Sequence, residues 1–574
     1  MEGPIGRLRE VRVVTRPTSD GRGTISFRSF VIEVPYTPEL KLSVGRVLAV
    51  KSMGGEMLLL EIVDFLPLHY SMINLEGSIP KEIRDEVMDE VERSWEKGSP
   101  ESWVEVYAVP VGYLMDSSKV TFRRGYSPPF PASAVYQLSR EAYQRLVCSS
   151  SSEPLGRVLG DGVELRIDLE KAVRYHVGVF AFTGSGKSNL VSLLVRRALG
   201  TMRNLKVVVF DISMEYFTLL FDQLVRYNSR VLTAERLPPS PVEASRRFMR
   251  LHVVPEELDD LRDKFRVTTQ RLIEEEKVRY MYVPSSSQVL MTYGDLVDLV
   301  NGQISDNYAA SQKPVLFTML QKLDALMREN KLSKDDIVDE RVNGLLDEVE
   351  EVANRSKLRE TSSIFSFING LRSYLSSTNV EPVSEDYDIE KLAIEILEDS
   401  EVSPRLFVVE SPKVEEARFV VSNVINEVMN RRKKMFSASP SVLFVLDEAQ
   451  EFIPFDTRQK NMSEKSSEAV EKLLRQGRKY HLHSLISSQR LAYLNTNALQ
   501  QLHTYFISTL PRPYDRQLVG ETFAISDALL DRTLELETGE WLLVSFKSAT
   551  PYDIPVFFRA ENNFAELRRA LGTT

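Results

Sequence analysis

The sequence predicts an α/β protein in which a mostly parallel β-sheet is preceded by a small β-barrel and interrupted by an all-helical insertion. Three observations support this prediction. Residues 1–150 contain short runs of alternating apolar and polar residues, strand-like runs alternate with helical patterns further on, and residues 234–400 show helical periodicity almost alone. Alternating strands and helices are typical of parallel sheets that carry helices on both faces. At 574 residues the chain is long enough for two or three domains.

Residues 1–150 are predicted to form the β-barrel. Their period-two runs occupy residues 24–33, 44–50, 56–63 and 103–109, with Gly- and Pro-containing turns between them. One helix is predicted from Lys81 to Lys97, because apolar residues recur there every four positions. The composition becomes linker-like at residues 127–132 and 148–154, which predicts a domain boundary near residue 150.

Strand-like runs follow this boundary at residues 177–182, 206–210, 405–409, 442–446, 483–487, 504–508, 541–545 and 554–558. Helical patterns separate most of them, so we expect one sheet assembled from residues 151–233 and 401–574. The segment between these parts, residues 234–400, is predicted to be a helical insertion. Its acidic stretches, such as residues 347–351, are interpreted as a solvated face.

The composition is that of a globular protein, with 43% hydrophobic and 27% charged residues. No apolar run approaches the roughly 20 residues that span a bilayer, and the N-terminus lacks the pattern of a secretory signal. These features predict a cytoplasmic protein without a membrane partner. Cys148 is the one cysteine, which excludes disulfides within the chain, and His481 and His483 are the nearest approach to a metal-binding pattern.

The formal net charge of −10 lacks the basic footprint that nucleic-acid binding usually leaves. It argues against a simple basic clamp around DNA. A ring that encircles DNA is compatible with it, because basic residues can line an inner surface while the outer surface stays acidic. The charge therefore leaves DNA binding open.

A phosphate-binding loop is predicted at Thr183–Ser188, with the sequence Thr-Gly-Ser-Gly-Lys-Ser, between an apolar strand and a helix. Its glycines allow consecutive N–H groups to face phosphates, and the helix presents its positive N-terminal end to them. Lys187 is expected to reach the β- and γ-phosphates of ATP, and Ser188 is expected to bind Mg²⁺. Ala181 stands where the usual eight-residue P-loop pattern has its first glycine.

A second apolar run, Val442–Leu446, ends in Asp447 and Glu448. An acidic pair at a strand end can be a simple cap. Because a P-loop is present in the same chain, we interpret Asp447 as a Mg²⁺ ligand and Glu448 as the residue that aligns and polarises the attacking water. The loop and the acidic pair together predict ATP hydrolysis.

Gln489 ends another predicted strand, and the carboxyl ends of parallel strands line the ligand crevice of a sheet. We expect Gln489 to sense the γ-phosphate or orient water, with a solvated loop residue as the alternative. Arg475 and Arg478 lie at a cationic helix end. They either cap that helix or act as arginine fingers on ATP bound by a neighbouring subunit, and Arg174 is a further candidate.

Together these motifs resemble the HerA branch of the HerA/FtsK DNA-pumping ATPases. The matching stretches are Ala181–Ser188, Phe210–Tyr216, Leu446–Pro454, Arg475–Lys479 and Ser487–Arg490, and their order and spacing also fit. The resemblance implies a RecA-like P-loop ATPase core with an N-terminal β-barrel of the HAS type and an all-helical insertion. It also implies a homo-hexameric ring that moves double-stranded DNA through its pore, often docked to a NurA-type nuclease.

The resemblance implies ATP and Mg²⁺ as cofactors and extends the nucleotide contacts to a larger set: Thr183, Gly184, Ser185, Gly186, Lys187, Ser188, Asn189, Asp211 and Glu215. One stretch departs from the family pattern. HerA proteins read Asp-Pro-His-Gly-Glu-Tyr after the second core strand, whereas this chain reads Asp211-Ile-Ser-Met-Glu-Tyr216. The barrel and the long acidic insertion suggest a divergent paralogue whose partner differs from the usual nuclease.

Two alternatives keep the ATPase but change its load. Secretion and conjugation ATPases share the core, and an N-terminal membrane anchor, which is not visible here, would favour them. The chain can also be a nucleotide-gated scaffold whose barrel docks another enzyme. A basic stretch, Arg431–Lys434, is compatible with DNA contact but is more typical of a solvated helix end.

Overall fold

The computed structural model describes residues 3–17, 24–73, 75, 79–149, 153–160, 162–283, 291–305, 312–334, 336, 338–339, 341–356, 358, 362–378, 387–435, 437–456, 462–523, 525 and 527–572. The chain divides into two compact units. The first comprises Met1–Leu232, Leu237–Val278 and Leu392–Thr574, and the second comprises Thr233–Arg236 and Arg279–Lys391.

The first unit begins with a closed β-barrel, which confirms the sequence prediction. Its strands are β1 (Pro4–Pro17), β2 (Thr24–Pro35), β3 (Val47–Lys51), β4 (Met57–His69), β5 (Ser102–Asp116), β6 (Thr121–Arg124) and β7 (Ala134–Gln137). The order is β2-β1-β7-β3-β4-β5, a pairing of β2 with β5 closes the barrel, and β6 pairs with β5. Alternate residues such as Phe30, Ile32 and Leu60 fill the interior, because successive side chains of a strand point to opposite faces.

Short helices accompany the barrel: α1 (Tyr70–Ile73), α2 (Lys81–Lys97) and α3 (Arg140–Val147). The predicted helix at residues 81–97 is α2. It contacts α1 and buries Val91. Its other apolar residues, among them Ile83 and Met88, remain substantially exposed.

A mixed β-sheet occupies most of the remaining first unit. Its strands are β8 (Gly156–Val158), β9 (Glu164–Leu165), β10 (Val177–Phe180), β11 (Leu205–Asp211), β12 (Ser229–Thr233), β13 (Val278–Tyr280), β14 (Leu406–Glu410), β15 (Ser441–Leu446), β16 (Leu482–Ser488), β17 (Thr504–Ile507), β18 (Glu540–Ser545) and β19 (Val556–Ala560). The order is β13-β12-β14-β11-β15-β16-β10-β17-β18-β19-β8-β9. Strands β14, β11, β15, β16, β10 and β17 are parallel, and β18, β19, β8 and β9 continue the sheet antiparallel.

Each strand-like run predicted after residue 150 lies in this sheet, which confirms the α/β class. Every residue of β11 and β16 is buried, as are Val442–Leu446 of β15. Burial of whole strands is expected where helices cover both faces of a parallel sheet. After the barrel, the described helices of the first unit are α4 (Leu169–Arg174), α5 (Lys187–Thr201), α6 (Tyr216–Leu219), α7 (Phe221–Arg226), α8 (Pro241–Arg250), α9 (Arg262–Glu274), α15 (Val414–Met435), α16 (Ser463–Gln476), α17 (Thr496–Leu499), α18 (Pro513–Phe523), α19 (Asp527–Arg532) and α20 (Phe564–Gly572).

The barrel and the sheet share one buried cluster, although the composition predicts a boundary near residue 150. Val47 of the barrel lies in the same cluster as Val158 and Val179 of the sheet. Gly45 has a φ of +83°, and a Cβ at this position would lie 2.7 Å from the Phe557 ring. The two parts form one compact unit because apolar residues on the outside of the barrel continue the core of the sheet.

The second unit is helical and has a hydrophobic core of its own. It contains α10 (Tyr293–Ser305), α11 (Lys313–Glu329), α12 (Arg341–Arg355) and α13 (Ser363–Thr378), and α14 (Ile389–Leu397) crosses its boundary. Leu316 and Leu346 are buried in that core. The unit is narrower than the insertion predicted at residues 234–400, because Phe248 and Phe265 of α8 and α9 are buried in the core of the first unit.

Candidate nucleotide-binding site

The loop at residues 181–186 joins the end of β10 to the start of α5, as predicted for a P-loop. Gly184 and Gly186 have φ values of +85° and +90°, which glycine adopts without strain. Ala181 is buried and has no positive φ, so alanine replaces the first glycine of the pattern without backbone strain. The N-terminus of α5 has no side-chain cap, which leaves its N–H groups to phosphate oxygens.

Lys187, the first residue of α5, lies between the two predicted catalytic acids. Its Nζ is 2.7 Å from Oδ1 of Asp447 and 2.5 Å from Oε1 of Glu448. The Lys187 side chain is only 6% exposed. Burial alone would lower the pKa of its ammonium group, but the two carboxylates raise that pKa above its ordinary value. The two carboxylates therefore favour the charged form of this buried lysine.

The Glu448 carboxylate is held by two amides. Gln489 donates from Nε2 to Oε1 at 2.6 Å, and Gln450 donates from Nε2 to Oε2 at 2.7 Å. The Oε1 atom of Gln489 accepts a hydrogen bond of 2.5 Å from the Thr183 hydroxyl in the P-loop. Gln489 thus connects the phosphate-binding loop directly to the acid that follows β15.

Asp447 is surrounded by hydroxyl groups. Ser487 donates to its Oδ1, and Ser213 donates to its Oδ2 at 3.4 Å. Nearby, the Ser188 hydroxyl is hydrogen-bonded to Glu215, whose pKa is raised mainly by burial. Hydroxyl and carboxylate oxygens are the protein ligands that Mg²⁺ prefers, so the residues present fit the ion that the sequence predicts.

Asp211 ends β11 in a buried cluster of ionisable groups. Its Oδ2 accepts a 2.8 Å hydrogen bond from the Tyr216 N–H, which fixes the turn that carries Glu215. Burial, followed by the charge of Glu410, raises the pKa of Asp211 to about 7. Glu410 in turn lies 2.7 Å from the Nε2 atom of His252. Asp211 therefore holds the turn that carries Glu215 in place. Its contact with the nucleotide stays a prediction.

The C-terminal part of the sheet holds the P-loop from the other side. The Thr538 hydroxyl donates to the Gly184 carbonyl at 3.0 Å, and the Gly539 N–H donates to the Ser185 carbonyl at 3.0 Å. These bonds hold the backbone of the loop through its carbonyl groups, while the Ser185 N–H donates to the Phe182 carbonyl at 3.3 Å. The loop conformation therefore depends on residues that are distant in the sequence.

Asn189, predicted as a nucleotide contact, is bonded to the same C-terminal region. Its Nδ2 donates to the Glu561 carbonyl at 3.0 Å, and its Oδ1 accepts from the Asn563 N–H at 3.1 Å. The side chain thus anchors α5 to the segment after β19. Its part in nucleotide binding stays a prediction.

The arginine-finger candidates lie at the amino ends of the strands, opposite the P-loop. The Cζ atom of Arg478 is 4.1 Å from the centroid of the Tyr175 ring, and Nη2 donates to the Tyr175 hydroxyl at 3.1 Å. Arg475 and Arg174 each pair with a glutamate four residues earlier. These positions are remote from Lys187 of the same chain, so an action on a neighbouring subunit stays a prediction.

The basic stretch Arg431–Lys434 is partly structural. Arg432 is 1% exposed, and its guanidinium donates to the carbonyls of Ser437 and Ser439 at 3.1 Å and 2.6 Å. Arg431 pairs with Glu427 at 2.5 Å. The stretch is therefore not a continuous charged surface, in keeping with its interpretation as a helix end.

Several residues that shape the site are not predicted from the sequence: Ser213, His252, Gln450, Ser487 and Thr538. Gln450 and Ser487 lie within motifs that mark the site, so a survey of every polar residue in those motifs would have found them. Thr538 follows the last such motif by nearly 50 residues, and no local pattern identifies it.

A parallel sheet with a P-loop after its central strand β10 and an acidic pair after β15 defines the class of P-loop ATPases. Comparison with known proteins shows which P-loop ATPases this chain is similar to. Residues 153–403 match the family described as helicase HerA, central domain. Over this stretch the chain is similar to HerA-type proteins.

Individual relatives are similar over long stretches. The DNA double-strand break repair helicase HerA of Pyrococcus furiosus is 22% identical over 579 aligned positions, which cover 96% of this chain and 93% of that protein. The HerA helicase of Saccharolobus solfataricus is 22% identical over 425 positions, covering 73% of this chain and 71% of that protein.

Solved structures with some similarity include VirB4 of Thermoanaerobacter pseudethanolicus, at 13% identity and a TM-score of 0.39 over 72% of this chain and 98% of that one. The bacterial conjugative coupling protein TrwB has 14% identity and a TM-score of 0.39 over 74% and 92% of the two chains. Among the described residues, no helix is both long enough and apolar enough to cross a bilayer.

Proposed function

We propose that the protein is an ATP-dependent translocase of double-stranded DNA that works as a homo-hexamer. The observation that carries the ATPase half of this proposal is the contact of Lys187 with both Asp447 and Glu448, with Gln489 bridging Glu448 to Thr183. Each group has a chemical task in phosphoryl transfer. The DNA half rests on the relatives described above.

Lys187 is the phosphate-binding cation. Because Asp447 and Glu448 keep it charged in a buried site, the β- and γ-phosphates of ATP can replace those carboxylates as its partners. The exchange would release Glu448 from the lysine. Mg²⁺, held by Ser188 and Asp447, supplies neutralisation of the phosphate charge when it is bound.

Glu448, once released, aligns the attacking water and accepts its proton. Gln489 keeps the carboxylate oriented, and its bond to Thr183 makes that orientation depend on the state of the P-loop. A γ-phosphate in the loop would therefore be sensed at the end of β16. Arg475 or Arg478 of an adjacent subunit would stabilise the charge that develops during transfer.

Replacement of Glu448, the proposed catalytic base, tests the proposal that the protein hydrolyses ATP. We expect Glu448→Gln to keep nucleotide affinity within a few-fold of wild type and to lower kcat by about 100-fold or more, since a positioned base contributes about 10²–10⁴ in rate. Single-turnover hydrolysis and binding of a fluorescent ATP analogue measure the two quantities. Glu464→Gln, an exposed change on α16, is the matched control. Normal turnover by Glu448→Gln would contradict the assignment.

The DNA load is supported by the names of the relatives, which are DNA double-strand break repair helicases. Phosphate contacts in a ring pore would make binding independent of sequence and sensitive to salt. We expect duplex DNA to stimulate ATP hydrolysis at low salt and mass measurements with ATP to give a hexamer. Absence of both stimulation and DNA binding would exclude the translocase and leave a different load.

A partner enzyme docked on the barrel is a second element of the proposal. A groove of about 730 Å³ between the end of β4, α1 and α2 is lined by Met72, Ile73, Met88 and Trp95. Ile73 is 58% exposed and Met88 is 42% exposed. This apolar surface favours a NurA-type nuclease or another enzyme on the barrel, as a scaffold function would also require. Loss of nuclease co-purification with Ile73→Asp would support this part.

A further inference from the structure

A second cavity, of about 420 Å³, lies between the barrel and the amino ends of the central strands. Because Tyr175 precedes β10 and His503 precedes β17, this cavity and the P-loop are at opposite edges of the sheet. The cavity is lined by Val111, Gly112, Tyr113, Arg124, Tyr175, His503, Phe546, Lys547 and Asp553. None of these residues has a role in the ATPase chemistry described above.

Hydrogen-bond donors dominate the lining. The Tyr113 hydroxyl accepts from the Asp553 N–H at 3.2 Å, and the Tyr175 hydroxyl accepts from Arg478 at 3.1 Å. Each phenol proton is therefore left to donate to a ligand. The exposed ammonium group of Lys547 has no acidic partner among the residues that the structure describes. A cavity lined by hydroxyl donors and an ammonium group favours an anionic ligand.

The Asp553 carboxylate in the cavity wall is already engaged by two partners, so its negative charge is largely offset. It forms an ion pair with Arg124 of the barrel and accepts the Lys547 N–H at 2.6 Å through Oδ1. Lys547 has a φ of +52°, in the left-handed region that non-glycine residues rarely adopt. Backbone strain of this kind persists where the surrounding structure enforces it, often at ligand sites.

The cavity also offers flat apolar surfaces. The Arg478 guanidinium covers the Tyr175 ring at 4.1 Å, and the ring of His503 lies 5.0 Å from that of Tyr175 at an angle of 32°. The stacking surface left to a ligand is therefore His503, with half-buried Phe546 also in the lining. Stacking on aromatic rings is the usual way in which proteins bind unpaired bases without sequence preference. The volume is within the ~300–1,000 Å³ range of ordinary ligand sites.

We propose that this cavity binds one nucleotide unit, with its phosphate on Lys547 and the tyrosine hydroxyls and its base against His503 and Phe546. The same chemistry is offered by a DNA strand and by a free nucleotide. With a DNA strand as the source, the inference rests on the proposed function, and the strand would contact barrel and sheet together.

The test uses the full-length chain with Lys187→Ala, which removes the lysine assigned to the β- and γ-phosphates of ATP, and compares variants in that background. Lys547→Glu reverses the free charge, and Lys547→Gly removes it at a φ that favours glycine, which protects the fold. Lys97→Glu, on exposed α2, is the matched control. Fluorescence anisotropy measures affinity for a short labelled duplex with a single-stranded overhang, and calorimetry measures affinity for AMP.

We expect Lys547→Glu to weaken DNA binding by about tenfold and to lower the salt slope by about one, with Lys97→Glu near the parent. A loss of AMP binding with unchanged DNA binding would make the free nucleotide the ligand. Unchanged affinity for both would overturn the inference. If the parent chain bound no DNA, the proposed function would fail, and the AMP measurement alone would decide the cavity.

Discussion

Met214, between Ser213 and Glu215, and Glu448, which follows Asp447, both hold left-handed backbone conformations, with φ values of +58° and +51°. For residues other than glycine this conformation costs about 1–2 kcal/mol. Met214 occupies the position at which the HerA pattern has glycine, so the turn keeps its shape although the residue has changed. The strain therefore lies next to the chemistry, where it fixes the direction of Ser213 and Glu448.

Glu61 in β4 of the barrel has an unusual environment for a carboxylate. It is 3% exposed, its Oε1 atom has no hydrogen-bond partner, and burial raises its pKa to about 8 from an ordinary 4.5. The folded protein therefore binds a proton that the unfolded chain has released. As pH rises from the ordinary pKa of 4.5 to the folded-state pKa of about 8, the unfolded chain gives up this proton more readily than the folded protein does. The free energy of unfolding should therefore fall between about pH 5 and pH 8.

We expect Glu61→Gln to flatten this pH dependence and to raise Tm above that of wild type at pH 8, because the neutral amide has no proton to lose. Thermal melts at several pH values measure the effect. Glu33→Gln, an exposed change on β2, should leave the dependence as it is. Equal slopes for Glu61→Gln and wild type would show that the Glu61 carboxyl does not titrate in this way.

At the scale of elements, the passage from α16 to β16 is tight. A Cβ on Gly477 would lie 2.5 Å from the Leu482 carbonyl oxygen and 2.9 Å from the Leu473 side chain. Because this oxygen belongs to the backbone of Leu482, the first residue of β16, it cannot move away from an added Cβ unless the start of the strand shifts. That strand carries Ser487 and Gln489 to the site.

We expect Gly477→Ala to lower the free energy of unfolding by about 1–3 kcal/mol through this overlap. Chemical denaturation gives the number. Gly200→Ala in α5 is the matched control, since a Cβ there meets nothing within 4 Å and alanine favours helix by about 0.5–1 kcal/mol. A variant Gly477→Ala as stable as Gly200→Ala would contradict the expected overlap.

Elements with strong local patterns could be predicted from the sequence, and elements that depend on distant partners could not. The runs at residues 442–446 and 483–487 are strands, as predicted, and both are buried. The first is continuously apolar, as expected for a strand covered on both faces, whereas the second also contains His483, Ser484 and Ser487. β8 and β9 were missed, since their 3 and 2 residues carry no period and are strands only by pairing with β19. In the site, Lys187, Asp447 and Glu448 were predicted from motifs, whereas Thr538 contributes through tertiary contact.

On the scale of the whole molecule, the second unit has the features of an independent folding unit. Val315, Leu323 and Leu346 are among the residues of its core, which is separate from the core of the first unit. The sequence predicted helices here but placed the boundary at residue 234. The boundary could not be predicted because α8 and α9 have the same periodicity as the insertion and differ only in what they pack against.

We expect residues 279–391, expressed alone, to be helical and to unfold cooperatively, since a segment with its own core can fold without the rest. Circular dichroism during thermal melting measures both properties. Leu346→Asp should abolish the cooperative transition, because Leu346 is fully buried, whereas Leu299→Asp should preserve it, because Leu299 is 37% exposed. A gradual, non-cooperative melt of the parent segment would contradict this expectation.

The position of β10 at the centre of the sheet has a consequence for synthesis of the chain. Its neighbours β16 and β17 follow it by about 300 residues, and the Thr538 and Gly539 contacts come later still. At roughly 5–20 residues per second, a ribosome needs about 15–60 s to deliver those neighbours. Until then the P-loop strand has no partner on either side. The nascent chain therefore exposes an apolar strand for much of its translation, and the P-loop gains its contacts with Thr538 and Gly539 only after those residues have left the ribosome.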